Sequence, residues 1–225
     1  MTHPRDRIVA ALMELAAQTP WEEFSITDVA HKAGVTLAEF REQFPSKGAV
    51  LAAFSRQIDQ IVLKSVSADL AEDSAKDRLF DVLMRRLDAM RPYRAALDNI
   101  MRWVKRSPAA ALALNQVATN SQRFMLEAAG ISTEGPLGAL KVQGLVVSFA
   151  QVVEIWLKDE DEDMARTMAA LDKALERGGK MVHRAEQLHR FASPFCTLLG
   201  GIVRLRQTQN QPAYDSTRHD IRCLL

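Results

Sequence analysis

SITDVAHKAGVTLAEFREQFPSKGAVLAAF, residues 25–54, carries its own punctuation. Ser25 is an N-cap ahead of a short helix, because its side chain can accept an amide proton left free at a helix start. Gly34 stops that helix, since glycine adopts the left-handed conformation of a helix end without a steric penalty. Thr36 is a second N-cap, and Glu39 follows three residues later. T-x-x-E is a capping box, in which the carboxylate returns to the cap's own amide and suits the positive end of the helix dipole. Pro45 ends this helix and Ser46 caps a longer one. Phe40 and Phe44, four apart, face the core. Leu37, Ala38, Arg41 and Gln43 are left to face outward.

Two short helices joined across a glycine turn have the form of a helix-turn-helix, whose second helix enters a DNA groove. DNA is a polyanion, so Glu39 and Glu42 on that helix need a reason. The capping box gives Glu39 a structural one. Glu42 has none.

Over residues 5–55 the chain resembles the DNA-binding region of the TetR family of bacterial repressors. The resemblance rests on the capped helix, Ala33-Gly34-Val35, the hydroxyl cap, the short helix, the aromatic Phe44, and Ser46-Lys47 opening the next helix. It implies an all-α fold, with an N-terminal three-helix DNA-binding domain and a C-terminal helical ligand-binding and dimerisation domain. It also implies a repressor that binds double-stranded operator DNA as a homodimer and is released by a small apolar ligand. Ser25 and Thr36 would hold phosphates through their hydroxyls, and Lys47 would do so at a helix N-terminus. Leu37, Ala38, Gln43 and Glu42 would face base edges: Gln reads adenine, Leu and Ala touch thymine methyls, and Glu accepts from a cytosine amine. The family often has Tyr where this chain has Arg41, and Lys where it has Leu37. Arg41 can hold a phosphate more strongly than Tyr. Leu37 removes a charge.

The chain has 225 residues, 48% of them apolar and 25% charged, the balance of a folded globular protein. Its net charge is +1. Residues 1–66 hold seven Lys and Arg against eight acids, so the DNA-binding region lacks a basic footprint. Two cysteines, Cys196 and Cys223, write no disulfide framework, and the first residues lack the apolar core of a signal peptide. A cytoplasmic location is expected.

Helical periodicity runs almost throughout. The domain reading is 1–50 for DNA binding, with helix 47–66 as connector and a polar joint near Asp69–Ala75. Residues 74–180 form the ligand and dimer domain, 183–206 an amphipathic helix, and 207–225 a tail expected to be disordered. Expected helices are Pro4–Gln18, Lys76–Met90, Tyr93–Lys105, Pro108–Ala129, Leu137–Lys158 and Met164–Arg177. Leu137–Lys158 is apolar over most of its circumference, which asks for a partner on more than one face. Met168, Leu171 and Leu175 follow at helical spacing beside small alanines. Paired with Val146, Val153 and Leu157, they suggest an intermolecular four-helix bundle. Core packing is the plainer alternative for both helices.

A pocket in the second domain follows from the family resemblance. Its candidate lining is Leu87, Met90, Met101, Trp103, Phe124, Met125, Phe149 and Trp156, a Met and aromatic set suited to an apolar ligand. Residues Arg85 to Lys180 are also similar to the ubiquinone-biosynthesis lipid-binding proteins that share the TetR fold. That similarity implies a second reading: a lipid or quinone carrier, with residues 188–206 docking either on the protein or on a membrane surface. Ser193-Pro194 reads as a helix restart. The acidic run Asp159–Asp163 reads as a solvated helix start. No metal, cofactor or catalytic constellation is written in the sequence: the five histidines are scattered, and there is no phosphate loop, nucleophile elbow or zinc spacing.

Overall fold

The computed structural model describes residues 3–65, 73–135 and 137–207, with side chains from 188 onward left aside. Residues 207–225, apart from Gln207, and most of the polar joint lie outside the described residues. The chain divides into two units at Val182/His183. The core and the sites below belong to the first.

Every regular element among the described residues is helical. α1 (Pro4–Gln18) starts on proline, whose missing amide proton costs nothing at a first helical position. It buries Ile8 and Leu12 completely. α2 (Ile26–Ala33) and α3 (Leu37–Gln43) follow, each with a complete capping box, and Gly34 between them sits at φ 63. The stop expected at Gly34 is therefore a left-handed turn. Its amide bonds back to Ala30 and His31. α4 (Lys47–Ser65) opens on Ser46, whose hydroxyl accepts the Ala49 amide at 3.2 Å.

α5 (Ala75–Met90) is capped by Ser74 and followed by a single 3-10 turn, Arg91–Tyr93. α6 (Arg94–Arg106) and α7 (Pro108–Ala128) meet at Ser107, which ends one helix and caps the next. α8 (Gly138–Trp156) starts where Gly138 passes so close to the Thr133 carbonyl that a Cβ would collide with it.

α9 (Ala165–Gln207) departs from expectation. It is one helix of 43 residues, without an end at Arg177 or a restart at Ser193-Pro194. Gly178 and Gly179, just past the expected end, lie within the helix with open space where a Cβ would sit. The acidic run does start a helix, but not as a wholly solvated one, because Asp159 is buried. Asp159 accepts the Thr167 amide at 2.9 Å and its hydroxyl at 2.6 Å, capping the first turn of α9.

Long-range contacts to α6 help tie the N-terminal helices to the body. Trp21 stacks on Trp103 of α6, with ring centroids 4.9 Å apart and planes 25° from parallel. Asn99 of α6 donates to the Ala16 carbonyl at 2.8 Å. Deeper in the body, Arg86 of α5 pairs with Asp59 of α4, and Ser121 of α7 donates to the same carboxylate oxygen at 2.7 Å. All three are buried. Burial pushes the Arg86 pKa down, against the pull of Asp59. A charge so placed is tolerable only when paired, so this triad fixes α4 against α5 and α7.

Candidate nucleic-acid interface

α3 turns Phe40 fully inward, with Phe44 buried beside it, ring centroids 6.2 Å apart. The opposite face is open: Leu37 is 52% exposed, and Ala38, Arg41 and Glu42 are exposed with it. Gln43 is half-buried. The outward set read from the sequence is the outward set of the structure, except that Gln43 is partly covered.

The caps are occupied in detail. The Thr36 hydroxyl donates to Glu39 Oε2 at 2.9 Å and accepts the Glu39 amide at 3.2 Å, while the Thr36 amide donates to Oε2 at 2.7 Å. That amide, and then the hydroxyl, hold the Glu39 carboxyl below its ordinary value. Ser25 and Asp28 repeat the arrangement at 2.7, 3.2 and 2.7 Å. Here the hydroxyl is the leading cause of the lowered Asp28 pKa. The Ser25 box was legible as S-x-x-D, the acidic analogue of the box at Thr36, but only Thr36 stood out in the sequence. In each box the hydroxyl proton already has a carboxylate. Neither Ser25 nor Thr36 presents a free donor to a phosphate.

The basic side chains are mostly committed as well. Lys32 pairs with Glu14 at 3.0 Å. Arg7 donates to the Gly34 carbonyl at 3.3 Å, bracing the turn between α2 and α3. The Arg5 guanidinium lies 4.5 Å over the Phe44 ring. Lys47 turns inward. Its ammonium donates to the Trp21 carbonyl at 2.7 Å and the Phe24 carbonyl at 2.5 Å, over both rings. Burial there lowers its pKa, more than Glu22 and Asp28 raise it. Two of its three protons are thus taken by the protein. Arg41 is exposed and makes no ion pair or hydrogen bond among the described residues, which makes it the free cation of α3.

No family model matches the chain, and no curated protein does. Solved structures do. A TetR transcriptional regulator from Nitrosomonas europaea ATCC 19718 is 24% identical, with a TM-score of 0.61, covering 79% of this chain and 99% of its own. One from Rhodococcus sp. RHA1 is 22% identical, with a TM-score of 0.55, covering 78% and 95%. A TetR-family regulator from Syntrophomonas wolfei is 12% identical, also at 0.55, covering 80% and 94%. The chain has the TetR fold. Fold says where a site can be, and the chemistry of that site must come from this chain's own residues.

In the body of this TetR fold, the pocket set divides. Leu87, Met125 and Trp156 are fully buried, and Met90 and Phe149 nearly so, all in one continuous core. Met101 is half-buried, and Phe124 is 55% exposed. Trp103 instead lines a cleft of about 250 Å³ with Trp21, Ser46 and residues of α7. The bundle set divides too. Leu171 is wholly buried and Leu175 and Val146 nearly so, which takes them out of any outer face. Val153, Leu157 and Met168 are half-buried. The apolar residues that α8 leaves exposed are Leu140, Val147 and Ile155, at spacings of seven and eight along one side. The sequence could not separate these from their inward neighbours, because the helix is apolar nearly all round. By length and composition α8 is the one described helix able to cross a membrane.

Proposed function

We propose that this protein is a ligand-responsive transcriptional repressor that binds operator DNA as a homodimer and leaves it when a small apolar molecule binds. The observation that carries this reading is α3. It is a short helix capped at Thr36, held from below by Phe40 and Phe44, and open on the face bearing Leu37, Ala38, Arg41 and Glu42. A helix built this way has the dimensions and exposure to enter a major groove. Arg41 would hold a phosphate, and Leu37 and Ala38 would meet base methyls. With the Ser25 and Thr36 hydroxyls occupied, first-turn backbone amides of α2 and α3 are the remaining donors for phosphate oxygens. The exposed stripe Leu140, Val147 and Ile155 on α8 supports a second copy as its cover, whereas Val153 and Leu157 pack toward the core.

A second reading, a lipid carrier of the same fold, draws support from the charge inventory. With Arg5, Arg7, Lys32 and Lys47 engaged internally, few cations remain to meet phosphates. Fluorescence anisotropy separates the two. The purified protein is titrated onto the DNA upstream of its own gene and onto a random duplex, at two salt concentrations. The repressor reading expects tighter, salt-sensitive binding to the upstream DNA. Equal weak binding to both, together with a lipid that co-purifies, would favour the carrier. Sedimentation equilibrium on the same sample should give the mass of a dimer.

A further inference from the structure

The 250 Å³ cleft lies where the first three helices meet the body. One wall is Trp21, ahead of α2, with Ser46, Gly48 and Leu51 at the start of α4. The other is Trp103 of α6, with Ala110, Ala113 and two further apolar residues of α7. Small residues make the space. A Cβ at Gly48 would touch only the Ser46 hydroxyl, at 3.7 Å, so nothing of the protein fills the cleft there. Two indoles already stack on each other at its edge.

We infer that this cleft is a binding site for an uncharged aromatic molecule of one or two rings carrying a single hydrogen-bond acceptor. The lining has no ionisable side chain, so a charged ligand would lose its hydration without gaining a partner. The volume is below the usual range for drug-sized ligands, which limits the occupant to a small ring system. Trp21 is covered by its stack with Trp103 and by Lys47, but Trp103 is only half-buried, and a planar ring can pack against the indole surface left open there. Besides the two indole N–H groups, the polar lining group is the Ser46 hydroxyl. It accepts the Ala49 amide, and its own proton has no acceptor among the described residues. That proton is the donor the ligand's acceptor would meet.

The position gives occupancy a consequence. α4 follows α3 directly through Phe44 and Pro45, and its first turn forms one wall of the cleft. A ring lodged there bears on the start of α4 and on α6 and α7 together, so it changes the spacing between them. This regulatory step, unlike binding itself, rests on the repressor reading proposed above.

The test is an NMR titration of the full chain, without DNA, using quinoline as the probe. Trp21, Trp103 and Trp156 are the protein's three tryptophans, and each indole N–H gives its own signal. Saturable shifts of the Trp21 and Trp103 signals, with Trp156 unmoved in the deep core, are expected. Ala113→Leu fills the cleft from an exposed position, leaves the fold intact, and should weaken quinoline binding about tenfold or more. The inference is overturned by the absence of saturable shifts, by Trp156 moving in place of the other two, or by unchanged affinity in the leucine variant. Because no DNA is present, these results stand whether or not the protein proves to be a repressor.

Discussion

The helix-turn-helix and the body of this protein are held together in opposite ways. In α2 and α3 the capping contacts are local and exposed: Ser25 with Asp28, and Thr36 with Glu39, each three residues apart. In the body the decisive polar contact is long-range and buried, joining Asp59, Arg86 and Ser121 from three helices. The first kind shapes a helix end and leaves its outer face free for a partner. The second locks helices into one register. Caps leave an outer face open, whereas a buried joint keeps packed helices from slipping.

That contrast can be broken at either end, and the body should suffer more. Asp59→Ala strands the Arg86 guanidinium in the core and should destabilise the protein by about 3–5 kcal/mol in urea unfolding. Replacing both partners with apolar residues of similar volume should recover most of that loss. A loss below about 1 kcal/mol for the single variant would mean that the pair is not the joint described here.

Thr36→Ala removes one cap and should cost about 1 kcal/mol. It should also loosen α3 ahead of the rest, giving faster amide exchange there. The smallest effect is on acid stability. The Glu39 carboxyl titrates below its ordinary 4.5 in the folded chain, chiefly because the Thr36 amide donates to it. Its contribution is therefore present above 4.5, and it is lost as pH falls through the lower folded value. Glu39→Gln keeps a capping group but cannot ionise. The variant should be less stable than the natural protein at neutral pH, and the two should converge in acid. A gap that stays constant with pH would assign Glu39 no electrostatic part.

The same contrast sets what could be read in the sequence. α1, α2 and α3 were legible almost to the residue, because their ends are written within three or four positions: Pro4, Ser25, Gly34, Thr36, Pro45. The outward face of α3 followed from Phe40 and Phe44 alone. What escaped depends on distant groups. Lys47 sits where a phosphate ligand was expected, but the carbonyls of Trp21 and Phe24, more than twenty residues away, draw it inward. Trp103 does line a cleft, but one shared with Trp21, on which it stacks, and not with the other residues of the expected pocket. Leu171 and Leu175 have the spacing of an interface and lie in the core, because spacing shows which residues share a face and not what covers it. The length of α9 escaped as well: the helix runs on through Gly178 and Gly179, residues of low helical propensity.

Glu42 remains the one carboxylate on the α3 surface with no structural employment. If α3 enters a groove as proposed, Glu42 would repel phosphates, and Glu42→Gln should tighten binding to random DNA. The central claim, that the α3 face carrying Arg41 meets DNA, is tested most directly by the salt dependence of operator binding in Arg41→Ala. The plot of log affinity against log salt should lose about one unit of slope, with weaker binding to all sequences alike. An unchanged slope and affinity on a confirmed operator would contradict the placement of this helix in the groove.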